Sequence, residues 1–347
     1  MRLPRSSVKV GVNGYGVIGK RVAEAISKQD DMTLVGVSKI TGDYRAKLAE
    51  KKGFTIYCSV PERLSDMEAS GVNPAGSILD LVKEVDIMVD CTPPGFGAKN
   101  RPMYEKAGVK QVYQGGEKHE VAGSSFVAQC NYAENLTRNA TRVVSCNTTA
   151  ICRVIGSLHT AFGAVKAWVV IFRRGADPAK SQRSGLINTV VPEENIPSHQ
   201  GPDAQTVIPS LNITTLVAKG PFTLGHLCFG IVQTKNRVEK GNVLEVLRKT
   251  PRLVPVRRSE GVEAMNSVIE ITRDLGRPRG DMWEVAFWED IIHASGSEVN
   301  VVYQVHNESV VVPENVDAVR ALTGLEENWE RSVAKTDKSL GILNKFT

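Results

Sequence analysis

The sequence predicts an α/β protein with two domains: a first domain built on a parallel sheet, and an α+β second domain with a mixed or antiparallel sheet. Up to about residue 145, short apolar strands alternate with helical segments, and a glycine-rich turn joins the first strand to the first helix. Beyond residue 146 the strands become longer and alternate apolar with polar residues, which is typical of a sheet with one face in water. We therefore expect domains at 1–145 and 146–312, with helices in 313–347 packing back on the first domain.

Composition narrows the class of function. The chain has 347 residues, enough for two hydrophobic cores, and its net charge of +5 suits small anions such as nucleotides and sugar phosphates. No dense Lys/Arg run indicates nucleic acid, no stretch of about eighteen apolar residues indicates a membrane span, and no Cys/His spacing indicates a metal site. The six cysteines are scattered and the first residues lack an apolar signal segment, so we expect free thiols in a cytoplasmic protein.

The first strand and the turn after it predict a nucleotide site. An apolar strand at Val8–Val12 is followed by Gly14, Gly16 and Gly19 and by a helix over Val17–Ser27. In this G-x-G-x-x-G pattern the first glycine allows the tight turn, the second lets backbone approach a pyrophosphate, and the third lets helix pack on strand. The sequence therefore predicts a Rossmann dinucleotide-binding domain.

The second strand, Thr33–Val37, ends in Ser38, Lys39 and Thr41. Folds specific for NAD usually place Asp or Glu there to bond the ribose 2′-hydroxyl. Here the residues are neutral or basic, so Lys39 is a candidate for a 2′-phosphate, although it could also be an ordinary surface lysine. We expect the protein to accept NADP, with NAD as the alternative.

Further strands end in loops at the same edge of the predicted sheet. Asp86–Cys91 is followed by the loop Thr92–Gly95, and Lys110–Gln114 ends at Gly115 and Gly116. A glycine pair suggests a close approach of backbone to ligand, which here would be the nicotinamide ribose, although an ordinary loop would look the same. The stretch Ile78–Val82 is helical or mixed.

One cysteine stands at a junction between strand and helix. Thr141–Val144 is the last strand of the first domain, and Cys146 precedes a helix over Thr148–Phe162. The partial positive charge at a helix N-terminus stabilises a thiolate, so this position favours a nucleophilic thiol.

The second domain is predicted to contain strands joined by a long loop. The predicted strands are Trp168–Phe172, Phe222–Lys235, Trp283–His293 and Val299–His306, with a loop over Gly175–Pro209 and a helix over Asn242–Lys249. A helix over Glu326–Leu340 is also predicted, in the C-terminal segment that is expected to pack back on the first domain.

Several polar residues of this domain are candidates for a site around the thiol. His226 could act as a base, but a histidine within an apolar strand is more often a satisfied core residue. Arg173 and Arg174 end a strand, where guanidinium forks suit a phosphate or a salt bridge. The loop 197–203 offers donors for an anion, and the amide of Asn307 could bond a nicotinamide carboxamide or simply form a turn.

Four motifs carry a family resemblance. Asn13–Gly19, Gln114–Lys118, Ser145–Thr149 and the Arg-Arg-x-Ala-Asp-Pro run at 173–178 occur in the order found in archaeal-type glyceraldehyde-3-phosphate dehydrogenases, which the chain resembles over nearly its whole length. The resemblance implies NAD(P)-dependent, phosphorylating oxidation of D-glyceraldehyde 3-phosphate to 1,3-bisphosphoglycerate through a cysteine thioester, in glycolysis or gluconeogenesis. It also implies a homotetramer.

The resemblance also implies roles for individual residues. Cys146 would be the nucleophile and His226 the base. Substrate would contact Ser145, Asn147, His199 and Gln200, and the cofactor would contact Gly14, Gly16, Val17, Ile18, Gly19, Lys39, Gly116, Arg174 and Asn307. Gln200 departs from a pair that is often His-His, and Asn307 stands where relatives often have Gln.

Two other functions remain open at this stage. One is a semialdehyde dehydrogenase of the same architecture acting on another acyl phosphate, for which a different cysteine neighbourhood is expected. The other is a nucleotide-binding regulator without catalysis, against which the intact Cys146 and His226 argue.

Overall fold

The computed structural model describes residues 7–114, 116–176 and 186–346; the motif residues Gly115, Asp177 and Pro178 lie outside these ranges. The chain forms two compact units. One comprises the residues up to Val144 together with Val312–Gly341, and the other comprises Ser145–Val311 with the residues from Ile342 onward.

The first unit is built on a parallel sheet of seven strands within the described residues, in the order β3-β2-β1-β4-β5-β7-β6. The strands are β1 (Val8–Asn13), β2 (Met32–Lys39), β3 (Ile56–Cys58), β4 (Ile87–Asp90), β5 (Lys110–Tyr113), β6 (Ser125–Phe126) and β7 (Ala140–Val143). The helices between them are α1 (Val17–Ile26), α2 (Tyr44–Lys51), α3 (Leu64–Ala69), α4 (Ile78–Leu81), α5 (Phe96–Ala107), α6 (His119–Ala122) and α7 (Ala128–Asn131).

The chain reverses direction across this sheet between β1 and β4, where Asn13 lies opposite Asp90. Ligands of open α/β sheets bind at such a reversal, beside the carboxyl ends of the strands. The apolar β1 and β4 are buried almost throughout because helices cover a parallel sheet on both faces. This part of the expected fold class is confirmed.

The second unit is built on a mixed sheet in the order β12-β13-β15-β11-β8-β10-β9, with β14 paired to β15. Its strands are β8 (Ala164–Arg174), β9 (Val191–Pro192), β10 (Ile213–Gly220), β11 (His226–Thr234), β12 (Leu253–Val256), β13 (Val285–Trp288), β14 (His293–Ser295) and β15 (Glu298–Val305). Its helices are α8 (Cys146–Phe162), α9 (Gln200–Gln205), α10 (Lys240–Lys249) and α11 (Met265–Asp274). The pairs β8–β10 and β12–β13 are parallel and the others antiparallel, as expected for a mixed sheet.

Four predicted elements of this unit differ in extent from the structure. The strand expected from Phe222 begins only at His226, because Leu224 and Gly225 have positive φ and interrupt the extended backbone. The strand expected over 283–293 is broken into β13 and β14. The loop expected over 175–209 contains α9, and α8 begins at Cys146 itself.

Two late helices, α12 (Val312–Thr323) and α13 (Trp329–Leu340), belong to the first unit. Arg320 of α12 is fully buried and donates to Asp31 at 2.8 and 2.9 Å and to Thr336 at 2.6 Å. A buried guanidinium is tolerated only when such partners compensate its desolvation, so this cluster fixes the helices to the unit. No helix of the described chain is long and apolar enough to span a membrane.

Candidate active site

The glycine-rich turn of the first unit has the geometry of a phosphate cradle. Gly14 has φ +94°, which permits the tight turn, and a Cβ on Gly19 would lie 2.0 Å from the Gly14 carbonyl oxygen, so the helix packs directly on the turn. A Cβ on Gly16 would meet no atom within 4 Å, which leaves that side of the turn open. Val17 and Ile18 begin α1, which no described side chain caps. These features fit a pyrophosphate at the helix N-terminus.

The lysine after β2 has a partner that the sequence analysis missed. Lys39 Nζ lies 2.9 Å from Asp43 Oδ2 and 3.3 Å from Thr41 Oγ1. Burial alone would raise the pKa of Asp43, but Lys39 and the N–H groups of Arg45 and Ala46 together lower it. The residues at the strand end itself are neutral or basic, but the carboxylate of Asp43, four residues after Lys39, pairs with the lysine. The signal for this partner was an Asp directly before a helical run, which is an N-cap position.

Gly116 lies in the turn after β5. It has φ +94°, and a Cβ there would come within 3.3 Å of Pro94 in the loop after β4. The loops that follow β4 and β5 are thus neighbours at the carboxyl edge of the sheet. A contact between Gly116 and the nicotinamide ribose stays a prediction.

Cys146 is the first residue of α8. Ser145 is the N-cap: its Oγ accepts from the Thr148 N–H at 3.3 Å and lies 2.8 Å from the Thr148 Oγ1. This cap fixes the first turn of a 17-residue helix, so the thiol is presented at the positive end of the helix dipole.

His226, the first residue of β11, brings its imidazole to this thiol. Its Nε2 lies 3.5 Å from Cys146 Sγ, and its Nδ1 accepts from the Arg174 backbone N–H at 3.1 Å. Because Nδ1 is an acceptor, the neutral ring carries its proton on Nε2. In the resting protein His226 therefore presents an N–H donor to the sulfur.

Burial governs the charge state of this pair. Burial raises the pKa of the Cys146 thiol, and the opposing effects of Arg174, Arg173 and the N–H groups of Asn147 and Cys146 do not cancel it. Burial, with Arg174, Arg173 and His306, holds the pKa of His226 well below its ordinary value. The helix N-terminus was expected to give a thiolate; the helix-end N–H groups do favour it, but desolvation outweighs them and the resting pair is neutral.

The segment before His226 is held by Asn307. Leu224 has φ +53° and Gly225 φ +91°, and the Gly225 N–H donates to Asn307 Oδ1 at 3.0 Å. A positive φ is costly for leucine, so this turn requires support from its surroundings. Asn307 supplies that support and fixes the point where β11 begins.

The two arginines at the end of β8 differ in their surroundings. Arg173 donates to Glu193 Oε1 at 2.9 Å, so its guanidinium is held in an ion pair. Arg174 uses its backbone N–H for His226, and its side chain leaves the strand on the opposite face. A contact between the Arg174 side chain and a ligand stays a prediction.

Two buried amide oxygens near the start of their helices have no hydrogen-bond partner among the described residues. These are Asn147 Oδ1 in the first turn of α8 and Gln200 Oε1 at the start of α9. The two side chains are only 2% and 1% exposed, and α9 packs against α8. His199, in contrast, is exposed. Unpaired buried acceptors are rare, so Asn147 and Gln200 are the stronger candidates for polar ligand contacts.

The described part of the chain contains no group of three or more His, Cys, Asp or Glu side chains that could hold a metal ion.

Comparisons with known proteins decide the family. Residues 145–276 match the model of the glyceraldehyde 3-phosphate dehydrogenase C-terminal domain, and residues 8–116 match that of the dihydrodipicolinate reductase N-terminus. Glyceraldehyde-3-phosphate dehydrogenases from Methanothermus fervidus and Thermococcus kodakarensis are 44% and 46% identical over 96% and 97% of this chain and 99% of their own. A third, from Pyrococcus abyssi, is 47% identical over 97% of this chain and 99% of its own.

This chain belongs to the glyceraldehyde-3-phosphate dehydrogenase family. The resemblance drawn from the motifs is confirmed, and so is the class of enzyme, an oxidoreductase. Among solved structures, aspartate semialdehyde dehydrogenase II from Vibrio cholerae has a similar fold, with a TM-score of 0.68 and 16% identity over 92% of this chain and 99% of that one. At this identity the similarity concerns the fold alone.

Proposed function

We propose that the protein catalyses the NAD(P)-dependent, phosphorylating oxidation of D-glyceraldehyde 3-phosphate to 1,3-bisphosphoglycerate, as a step of glycolysis or gluconeogenesis. The observation that carries this proposal is the 3.5 Å approach of His226 Nε2 to Cys146 Sγ at the first turn of α8. It occurs in a chain that is 42–47% identical to relatives named for this activity.

The family resemblance implies which residues of each unit would contact the cofactor. In the first unit these are Gly14, Gly16, Val17, Ile18, Gly19, Lys39 and Gly116; in the second they are Arg174 and Asn307. The open side of Gly16 and the uncapped start of α1 fit a pyrophosphate. When bound, a nicotinamide dinucleotide supplies the acceptor for a hydride.

In the first half-reaction Cys146 loses its thiol proton to solvent and attacks the aldehyde carbon. The new carbon–sulfur bond moves the carbonyl electron pair onto oxygen, and the Nε2–H of His226 donates to that oxygen. The carbonyl bond re-forms as hydride leaves, which gives the thioester on Cys146.

The family resemblance assigns His226 the role of base. The hydrogen bond from the Arg174 N–H favours donation instead, because His226 could accept a proton at Nε2 only after moving its own proton to Nδ1. We therefore propose that His226 stabilises the developing oxyanion, and that its low pKa keeps the ring neutral throughout.

In the second half-reaction inorganic phosphate attacks the thioester, forms the acyl phosphate and releases the Cys146 thiolate. Arg174, His199 and Gln200 are the candidates for holding the phosphate groups. Arg174 offers a planar fork of donors, and Gln200 is buried at the start of α9. Ser145 and Asn147 would complete the substrate site, Ser145 mainly through its cap on α8.

We also propose that the protein is a cytoplasmic homotetramer. The exposed face of β11 carries an apolar patch: Phe172 and Phe229 stack edge to face, and Phe229 and Ile231 are exposed. An apolar sheet face of this kind is typical of an oligomer interface. A single monomeric species in sedimentation velocity would refute the assembly.

The enzymatic proposal is tested by following reduction of NAD and NADP with glyceraldehyde 3-phosphate, with and without inorganic phosphate or arsenate. We expect reduction that depends on one of these anions, because each releases the thioester. Sustained reduction without either would mean that water hydrolyses the thioester, which would refute the phosphorylating step. NAD(P)-dependent, phosphorylating oxidation of aspartate semialdehyde serves as the control for the alternative dehydrogenase, and turnover of that substrate alone would overturn the proposal.

A further inference from the structure

Lys39, the last residue of β2, and Asp43, the N-cap of α2, form an ion pair. Lys39 Nζ donates to Asp43 Oδ2 at 2.9 Å, and the lysine side chain is only 13% exposed. The other carboxylate oxygen, Oδ1, accepts from the N–H groups of Arg45 at 2.9 Å and Ala46 at 3.4 Å, and so caps α2. The carboxylate thus has two separate tasks, one for each oxygen.

This pair lies next to the glycine-rich turn. The carbonyl oxygen of Ser38 accepts from the N–H groups of Gly14 at 3.1 Å and Tyr15 at 2.9 Å, which ties the end of β2 to the turn. In doubly wound sheets the residues that follow the second strand read the ribose of the adenosine half of a dinucleotide. Lys39 and Asp43 occupy that place, one with positive and one with negative charge.

We propose that Asp43 sets the preference between the two cofactors by controlling Lys39. The proposal rests on the dinucleotide binding proposed above. A ribose 2′-hydroxyl can donate to Asp43 Oδ2 while the ion pair stays formed. A 2′-phosphate needs the Lys39 ammonium, and Lys39 can give it only by exchanging the carboxylate for the phosphate while Asp43 remains nearby as a like charge.

The ion pair therefore acts against NADP and leaves NAD almost unaffected. Lys39 alone would predict a preference for NADP. With Asp43 in place, the 2′-phosphate must compete with the carboxylate for the lysine ammonium. Removing the charge of Asp43 should release Lys39 without moving the loop, provided that the cap on α2 is kept.

Asp43→Asn meets that condition, because an Asn side chain keeps the Oδ1 acceptor and caps helices about as well as Asp. Asp43→Ser keeps a cap oxygen by a different side chain and provides a second variant if the first folds poorly. Asp66→Asn is the matched control: it removes one negative charge from α3, where Asp66 pairs with the exposed Arg63 at 3.4 Å. Lys39→Met removes the ammonium and keeps the length of the side chain.

The experiment is calorimetric titration of these variants with ADP-ribose and 2′-phospho-ADP-ribose, which lack the nicotinamide and are not turned over. We expect Asp43→Asn to tighten binding of the 2′-phosphorylated ligand about tenfold relative to ADP-ribose, since Lys39 no longer has to leave a carboxylate in order to pair with the phosphate. Asp66→Asn should leave the ratio unchanged. In the Lys39→Met background the effect of Asp43→Asn should disappear, because it acts through the lysine.

Two results would overturn this inference: an unchanged ratio in Asp43→Asn and Asp43→Ser, or an equal change with and without Lys39. If the wild-type protein binds neither ligand, it is the proposed dinucleotide binding that fails, and the inference falls with it.

Discussion

Two buried polar clusters, one in each unit, use their hydrogen bonds differently. In the first unit Asp90, at the end of β4, is 1% exposed; its Oδ2 accepts from Tyr104 at 2.7 Å and Asn100 at 2.8 Å, and its Oδ1 accepts from the Thr92 N–H at 3.0 Å. Tyr104 also accepts from Asn13 at 2.7 Å, which links the cluster to β1. Each carboxylate oxygen is occupied by protein donors.

In the second unit, by contrast, the first turn of α8 contains a buried acceptor that no described donor satisfies. Asn147 Oδ1, one residue after the thiol, has no partner within the described ranges, and neither has Gln200 Oε1. The thiol and the imidazole are held in neutral forms, although thiolate is the reactive one.

The two clusters therefore differ in role: the first fixes the fold, and the second is a candidate site for a ligand. A buried carboxylate that is fully bonded by its own chain has no capacity left for a ligand, so Asp90 serves to fix the ends of β1 and β4. Buried acceptors without partners carry a free-energy cost that a ligand can remove, so we expect substrate to complete the surroundings of Cys146.

The largest effect is expected at the thiol. Cys146→Ser should lower turnover by at least about 10³-fold, because a serine hydroxyl is a far weaker nucleophile and no thioester can form. Cofactor binding and the denaturation midpoint should stay near the wild-type values. Cys152→Ser, on the same helix but 1% exposed, is the matched control: it should cost stability and keep turnover.

The raised pKa of Cys146 adds a pH dependence to this prediction. Alkylation by iodoacetamide should be slow near neutral pH and rise with pH beyond 9, because a raised pKa keeps the thiol protonated up to higher pH. Intact mass measurement locates the label. A rate already maximal at pH 7 would show that the resting sulfur is a thiolate and would contradict the neutral pair.

A smaller effect is expected at His226, where two substitutions separate donor from base. Gln offers an N–H donor and cannot take up a proton. If donation is the main role, His226→Gln should lose about tenfold in kcat and His226→Ala about 10²- to 10³-fold, the range found when one oxyanion donor is removed. Equal losses in both variants would instead favour the base role.

The sequence predicted the backbone of both units better than the surroundings of the site. The strand and turn at Val8–Gly19 follow from local rules of spacing, and they lie where expected. The neutral state of Cys146 could not be predicted, because the helix end is visible in the sequence and the desolvation is not. The orientation of His226 was equally hidden, since it depends on the Arg174 amide, 52 residues away in the chain.

Ion pairs across loops were missed for a related reason. Glu193 holds Arg173 at a separation of 20 residues, and nothing in the local pattern at Arg173 indicates that partner. Asp43, only four residues from Lys39, could have been found by reading the next helix start together with the strand end.

The smallest effect on turnover, with the clearest effect on stability, is expected at Asp90. Asp90→Ala should lower the free energy of unfolding by about 3 kcal/mol, because it leaves the buried Tyr104 hydroxyl and the partly buried Asn100 and Thr92 donors without their acceptor. Tyr104→Phe removes only one of these donors and should cost about 1 kcal/mol. Urea denaturation of both variants and the wild type measures the difference.

The same variants sharpen the comparison between the clusters. Asp90→Ala should leave the alkylation rate of Cys146 unchanged, since the carboxylate bonds residues at the carboxyl edge of the first sheet and not the thiol. Its kcat should stay within about threefold of the wild-type value under conditions where the protein is folded. The change in activation free energy is then well below the roughly 1.4 kcal/mol that would alter the rate tenfold. A loss of turnover as large as that of His226→Ala, with an unchanged unfolding free energy, would reverse the assignment and make Asp90 part of the reaction.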